Sequence, residues 1–193
     1  NRTVVVSAAG SEVYKGQERR GRADFLPPVP SFQVSSHDVT EGEMLAISHV
    51  SGIFGAGGED VSPHLSWSGA PDDTQSYAVT CFDPDAPTGS GFWHWVVYDI
   101  PATVTELTNG AGAQDGSGLP HGAKQLKNDA GLLGYLGSAP PAGHGPHRYM
   151  FAIHAVNVEN LPINEEVSAA ICGFNMFGTT IGRALIVPIY EQT

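Results

Sequence analysis

From Phe25 onward the chain alternates short apolar or β-branched runs with clusters of Gly, Pro, Asp and Ser. Runs bounded in this way predict strands, here over residues 32–34, 65–67, 76–82, 91–100, 149–158 and 185–190. One segment, 165–184, reads as helix, with Asn164 as its cap, Glu165 and Glu166 in the first turn, and Gly173, Gly178 and Gly182 bending or breaking it. If residues 92–100 form one strand, Phe92, His94, Val96, Tyr98 and Ile100 share a face, and Trp93, Trp95, Val97 and Asp99 share the other. Both faces are largely apolar, which predicts a central strand covered on both sides. No repeat of 20 to 50 residues is present.

Composition supports a loop-rich, mainly β protein. Gly 24 and Pro 14 make up about a fifth of the 193 residues, against a usual share of about 12%. The length suits one domain. Residues 25–193 are read as that domain. Residues 1–24 are read as an N-terminal arm, with Lys15, Arg19, Arg20 and Arg22 in its polar part. The arm is expected to be either solvated or docked on a partner.

Nine Lys and Arg against 20 Asp and Glu give a formal charge of −11, so the long-range field repels nucleic acid and anionic membrane surfaces. Any anion must be held locally, by histidines, a single arginine or backbone N–H groups. No stretch approaches the roughly 18 apolar residues of a membrane span, so stable membrane insertion is not expected. Cys81 and Cys172 sit in apolar surroundings and read as buried thiols rather than a disulfide. Together with the lack of signal-peptide order at the N-terminus, this favours the cytoplasm, with a periplasmic or secreted location left open. The Gly-rich stretches 52–58 and 110–118 lack the strand–loop–helix frame and the GK[ST] ending of phosphate-cradling loops, and they read as surface loops.

Candidate chemistry concentrates in two stretches. The first is DPDAPTGSGFWHWVVYDIP, residues 83–101. Pro84 and Pro87 push their predecessors out of helical space, so the carboxylates of Asp83 and Asp85 are held in a stiff turn. A carboxylate on one nitrogen of His94 would fix its tautomer and turn the other nitrogen toward a ligand. The second is GYLGSAPPAGHGPHRY, residues 134–149, whose glycines and prolines shape the backbone sharply before His147, Arg148 and Tyr149 enter a strand. Alternation puts His147 and Tyr149 on one face and Arg148 on the other, where it is expected to tie loops together through carbonyls or an aspartate.

These two motifs, in this order, resemble the phosphatidylethanolamine-binding protein family, also called Raf kinase inhibitor-like proteins, and its bacterial branch in particular. The resemblance covers roughly residues 25–191. It implies a mainly β fold, a central antiparallel or mixed β-sheet sandwich with one or two short helices. It also implies that the motifs meet at the sheet rim in a small pocket for phosphate, phosphorylated head groups or carboxylates. Carried over by position, Asp83, Asp85 and Pro87 would line one side with His94 at the floor, and Gly137, Pro141, His147 and Tyr149 would supply the other side. Eukaryotic members carry a C-terminal helix near the pocket mouth, whereas this sequence stops at Thr193. A more open mouth and a homodimer are therefore expected.

The function expected from these features is non-catalytic binding of a small phosphorylated or carboxylated ligand, without cofactor or resident metal, and stronger below about pH 6.5 as histidines protonate. A regulatory module that inhibits a kinase or protease through the same pocket is the alternative. A metal enzyme using Asp83, Asp85, His94, His144 and His147, and a hydrolase using Ser90 or Ser138, remain as lesser alternatives. The helix-borne HExxH pattern and the G-x-S-x-G elbow are both absent.

Overall fold

A computed structural model describes residues 26–193, so the expected N-terminal arm lies outside the described residues. The elements in chain order are β1 (Gln33–Ser35), a 3-10 turn (Ile47–His49), β2 (Leu65–Ser68), β3 (Ser76–Asp83), β4 (Phe92–Pro101), β5 (Glu106–Leu107), β6 (Lys124–Gln125), β7 (His147–Arg148), β8 (Met150–Val156), α1 (Ala169–Met176), β9 (Thr180–Ile186) and β10 (Ile189–Tyr190). The main sheet has five strands in the order β6-β4-β3-β8-β9, every neighbouring pair antiparallel. A three-stranded sheet, β1-β2-β5, and the pair β10-β7 complete the set.

The two faces of the main sheet are covered differently. On one face Cys81, Trp95, Val97 and Phe151 pack with Leu65, Trp67 and Leu107 of the three-stranded sheet, forming a sandwich. On the other, Ala78, Val96, Tyr98 and Val156 pack under Cys172 and Met176 of α1. The mainly β sandwich expected from the sequence is the observed architecture, and β3 and β8 are buried along their whole length as interior strands must be.

Three local expectations are corrected. The segment 165–184 is not one helix: α1 spans only Ala169–Met176, and its cap is Ser168, whose side chain accepts from the Ile171 N–H, rather than Asn164. Beyond Gly178 the β-branched run from Thr180 pairs with β8, so long-range pairing overrides the local helical pattern. Gly182 there marks a close approach, since a Cβ would lie 2.8 Å from Pro71 Cδ. The predicted strand 185–190 is two pieces, β9 ending at Ile186 and β10 starting after Pro188, which has no N–H to donate.

The alternation along β4 also breaks twice. Register shifts opposite Cys81/Phe82 and Tyr77/Val79 mark bulges. Trp93 therefore packs with Val96 and Tyr98, whereas Trp95, Val97 and Ile100 share the sandwich face. At the second shift Asp99 adopts a φ of 55°. Its carboxylate accepts from Leu161 N–H at 2.8 Å and Lys124 Nζ at 3.2 Å, which anchors the bulge.

Candidate functional site

Antiparallel pairing brings the C-terminal end of β3 beside the N-terminal ends of β4 and β8, with Asp83 opposite Phe92 and Phe82 opposite Met150. Residues from the two sequence motifs therefore meet at one edge of the sheet. Asp83, His94, His147 and Tyr149 form buried walls of a cavity of about 150 Å³ there, and Pro87 and Pro141 line it too. Both prolines are exposed and stand at its rim.

Asp83 organises the turn that carries it. Its Oδ1 accepts the N–H groups of Asp85 at 2.8 Å and Ala86 at 3.1 Å, the local arrangement by which aspartate stabilises a turn. Its Oδ2 accepts from His147 Nδ1 at 2.7 Å. With Nδ1 committed as donor to a carboxylate, His147 has only Nε2 for other work, and that nitrogen lies 2.7 Å from Nδ1 of the exposed His144. A neutral His147 accepts there, and a protonated one donates.

His94 is oriented by a different group from the one expected. The sequence suggested an aspartate, but Nδ1 donates to the Leu136 carbonyl at 2.8 Å, while the nearby acid is taken by His147. The tautomer is still fixed, with Nε2 as the lone-pair nitrogen. Burial lowers the His94 pKa, opposed by the Leu136 carbonyl and the charge of Asp83, so the ring is neutral. It packs edge-on against Tyr149, with centroids 5.2 Å apart, and tilted against Phe92 at 4.8 Å.

Tyr149 is 1% exposed, and neither its hydroxyl nor Ser138 Oγ has a partner of good hydrogen-bond geometry. Burial, and next the Asp83 charge, push the Tyr149 pKa far up, with the neighbouring Ser138 hydroxyl offsetting this in part. The group therefore stays a protonated donor at any pH of interest.

Two of the eight candidates stand behind the cavity wall. Asp85 receives a fork from Arg148, Nε to Oδ2 at 2.8 Å and Nη2 to Oδ1 at 2.7 Å, and also the Arg148 backbone N–H at 3.0 Å. Burial raises its pKa, but the hydrogen bonds and charge of Arg148 outweigh this and leave it below the ordinary value. Arg148 thus holds the turn to β7, the structural role expected for it. Gly137 is a close-approach position: a Cβ would sit 2.3 Å from the Val50 carbonyl carbon, and its N–H donates to Asp60 Oδ1 at 2.7 Å.

Asp60 was not singled out from the sequence. Its φ of 56° and its second bond, from Gly52 N–H at 2.9 Å, make it the clamp between two loops. Thr88, whose hydroxyl donates to the Gly91 carbonyl and closes the proline-bounded loop, was also missed. So was Phe92, although its place on the His94 side follows from alternation. Among the described residues, no group of three or more His, Cys, Asp or Glu is arranged to hold a metal ion. Ser138 donates its backbone N–H to the His49 carbonyl at 3.3 Å, but its hydroxyl bonds no histidine side chain. No helix among the described residues is long and apolar enough to cross a membrane.

Comparison with known proteins identifies relatives of this chain. The chain is 47% identical over 167 residues to the UPF0098 protein YbcL of Escherichia coli K12, covering 86% of this chain and 91% of that one. It is 43% identical over 159 residues to the UPF0098 protein YbhB of the same organism, covering 81% and 98%. The solved structure of E. coli YbcL, described as a new member of the mammalian PEBP family, matches with a TM-score of 0.82 at 48% identity over 84% of this chain and 99% of that one. A putative PEBP homologue from Chlamydia trachomatis matches with a TM-score of 0.70 at 28% identity over 84% and 99%. A family model described as phosphatidylethanolamine-binding protein spans residues 35–191 and so takes in both motifs and every strand that lines the cavity; the chain belongs to that family.

Proposed function

We propose that this protein binds a small anion, a phosphate monoester, phosphorylated head group or carboxylate, in the cavity beside Asp83 and His147, without turning it over. The observation that carries the reading is the buried Tyr149 hydroxyl, without a partner of good hydrogen-bond geometry, on the wall of a cavity whose other polar side chains are imidazoles, the Thr88 hydroxyl and one already satisfied carboxylate. Leaving such a hydroxyl unpaired costs about 1–3 kcal/mol, and a guest oxyanion would satisfy it.

Asp83 does not forbid an anion. It already accepts three N–H groups, and a protonated His147 neutralises it while presenting Nε2–H. His144, being exposed, can turn aside to let the guest take that bond. Burial holds His94 neutral, so this ring adds no charge to the site. At about 150 Å³ the cavity is below the usual 300–1,000 Å³ of ligand sites. It suits a head group and leaves an attached chain or side chain outside. Support for binding over turnover comes from the Asp83–His147–His144 chain, which among the described residues hydrogen-bonds no hydroxyl or thiol nucleophile.

Calorimetric titration of O-phosphoethanolamine at pH 6 into the wild type, His147→Ala and Tyr149→Phe tests the reading. Saturable one-to-one binding, weakened in both variants, is the expected result. Equal heats in all three proteins, or none in the wild type, would refute it.

A further inference from the structure

The sheet carries a second and larger concavity on its other side. Thr80 and Phe82 line it, and these alternate along β3 with Cys81 and Asp83, so it opens on the face opposite the anion cavity. Met176 and Phe177 at the end of α1 flank it, and Leu26, Pro27 and Val29 of the chain leading into β1 line it as well. Its volume of about 450 Å³ is within the range of ligand sites. Its surroundings stay apolar out to solvent, with Phe174 77% and Phe177 65% exposed.

One charge interrupts this surface. The described residues contain four cationic side chains. Lys124 pairs with Asp99, Lys127 with Glu166 and Arg148 with Asp85. The fourth, Arg183, lies in the groove, half-buried, and no carboxylate among the described residues pairs with it. Its recorded bonds are long: Nε to His154 Nδ1 at 3.5 Å and Nη1 to the Pro27 carbonyl at 3.4 Å. His154 adds no charge, because burial and then the Arg183 charge push its pKa down to about 3. Burial also lowers the Arg183 pKa, yet a guanidinium remains cationic at neutral pH. A half-desolvated guanidinium beside apolar walls is complementary to a carboxylate joined to a hydrocarbon chain.

We propose that this groove binds a single-chain amphiphilic carboxylate, its acid group on Arg183 and its chain along the apolar surface between the sheet and α1. Gly173 provides a clean test. It lines the groove, and a Cβ built there meets nothing within 4 Å, so Gly173→Leu fills the groove from a helical position without straining the fold.

The experiment is calorimetric titration of decanoate below its micelle concentration into the full chain, with decan-1-ol as the uncharged comparator. The expected result is saturable one-to-one uptake of decanoate. It should weaken at least tenfold in Arg183→Gln, with decan-1-ol binding unchanged by that substitution, and it should be lost in Gly173→Leu at an unreduced melting temperature. Uptake that persists in Gly173→Leu, decanoate and decan-1-ol binding equally well to the wild type, or displacement of decanoate by saturating inorganic phosphate would each overturn the proposal. So would the absence of saturable uptake. Sedimentation of the same proteins adds one more opposing outcome: a dimer that Gly173→Leu splits would make a second copy of the chain the occupant.

Discussion

The Nδ1–H of His147 donates to Oδ2 of Asp83 at 2.7 Å, joining residues 64 positions apart with both side chains almost wholly buried. Since the same carboxylate also accepts two backbone N–H groups of its own turn, it ties the proline-bounded loop to the start of β7. Removing one partner from a buried pair leaves the other uncompensated. Asp83→Ala is therefore expected to cost about 3 kcal/mol of unfolding free energy, and Asp83→Asn, which keeps an acceptor for the turn, roughly half of that. Urea denaturation gives both values. Equal, small losses would mean that the pair contributes nothing to the fold.

Tyr149→Phe should move stability and affinity in opposite directions. Deleting a buried hydroxyl that lacks a partner is expected to raise stability by about 1 kcal/mol. The same deletion removes a donor to the anion, and affinity for O-phosphoethanolamine should fall roughly tenfold, about 1.4 kcal/mol. Thermal melts and calorimetry on one preparation check the pair of signs.

Two glycines should respond oppositely to alanine. Gly137→Ala drives a Cβ to 2.3 Å from the Val50 backbone and is expected to destabilise by about 3 kcal/mol. Gly173→Ala enters open space in α1 and should stabilise by about 0.5–1 kcal/mol. Chemical denaturation midpoints distinguish the two.

The two buried neutral histidines predict an acid-sensitive fold. The folded-state pKa of His154 is about 3, below the ordinary histidine value of 6.5, and that of His94 is also lowered, in both cases by burial first. Each group takes up a proton in the unfolded chain before the native one, so stability is full above about pH 6.5 and declines as pH falls toward the native pKa. His154→Gln, which can still accept from Arg183, should flatten the stability profile between pH 6 and 4 by close to one proton. An unchanged slope would show that His154 is solvated or charged in the native state.

Strands β3, β4 and β8 of the main sheet were legible because they are long, apolar and bounded by turn residues. The two-residue pieces β5 and β6 were not, since they exist only through their partners across the sheet. Residues 165–184 failed for a related reason: Ala169–Met176 carries a helical pattern that Thr180–Ile186 also suggests locally, and only pairing with β8 decides for strand. At the site, the stiffness of the Asp83–Pro87 turn and the placement of His147 and Tyr149 on one face followed from proline geometry and alternation. Their convergence did not follow from spacing and came from the family resemblance. Asp60 was illegible because its role rests on a left-handed backbone and two loops that meet only in the folded chain.

The most direct test of the anion site is a histidine- and tyrosine-resolved NMR titration with O-phosphoethanolamine at pH 6, with ethanolamine as the control lacking phosphate. The account predicts saturable shifts at His147, His94 and Tyr149 with the phosphorylated compound and none with ethanolamine. Shifts confined to other residues, or equal responses to both compounds, would contradict it.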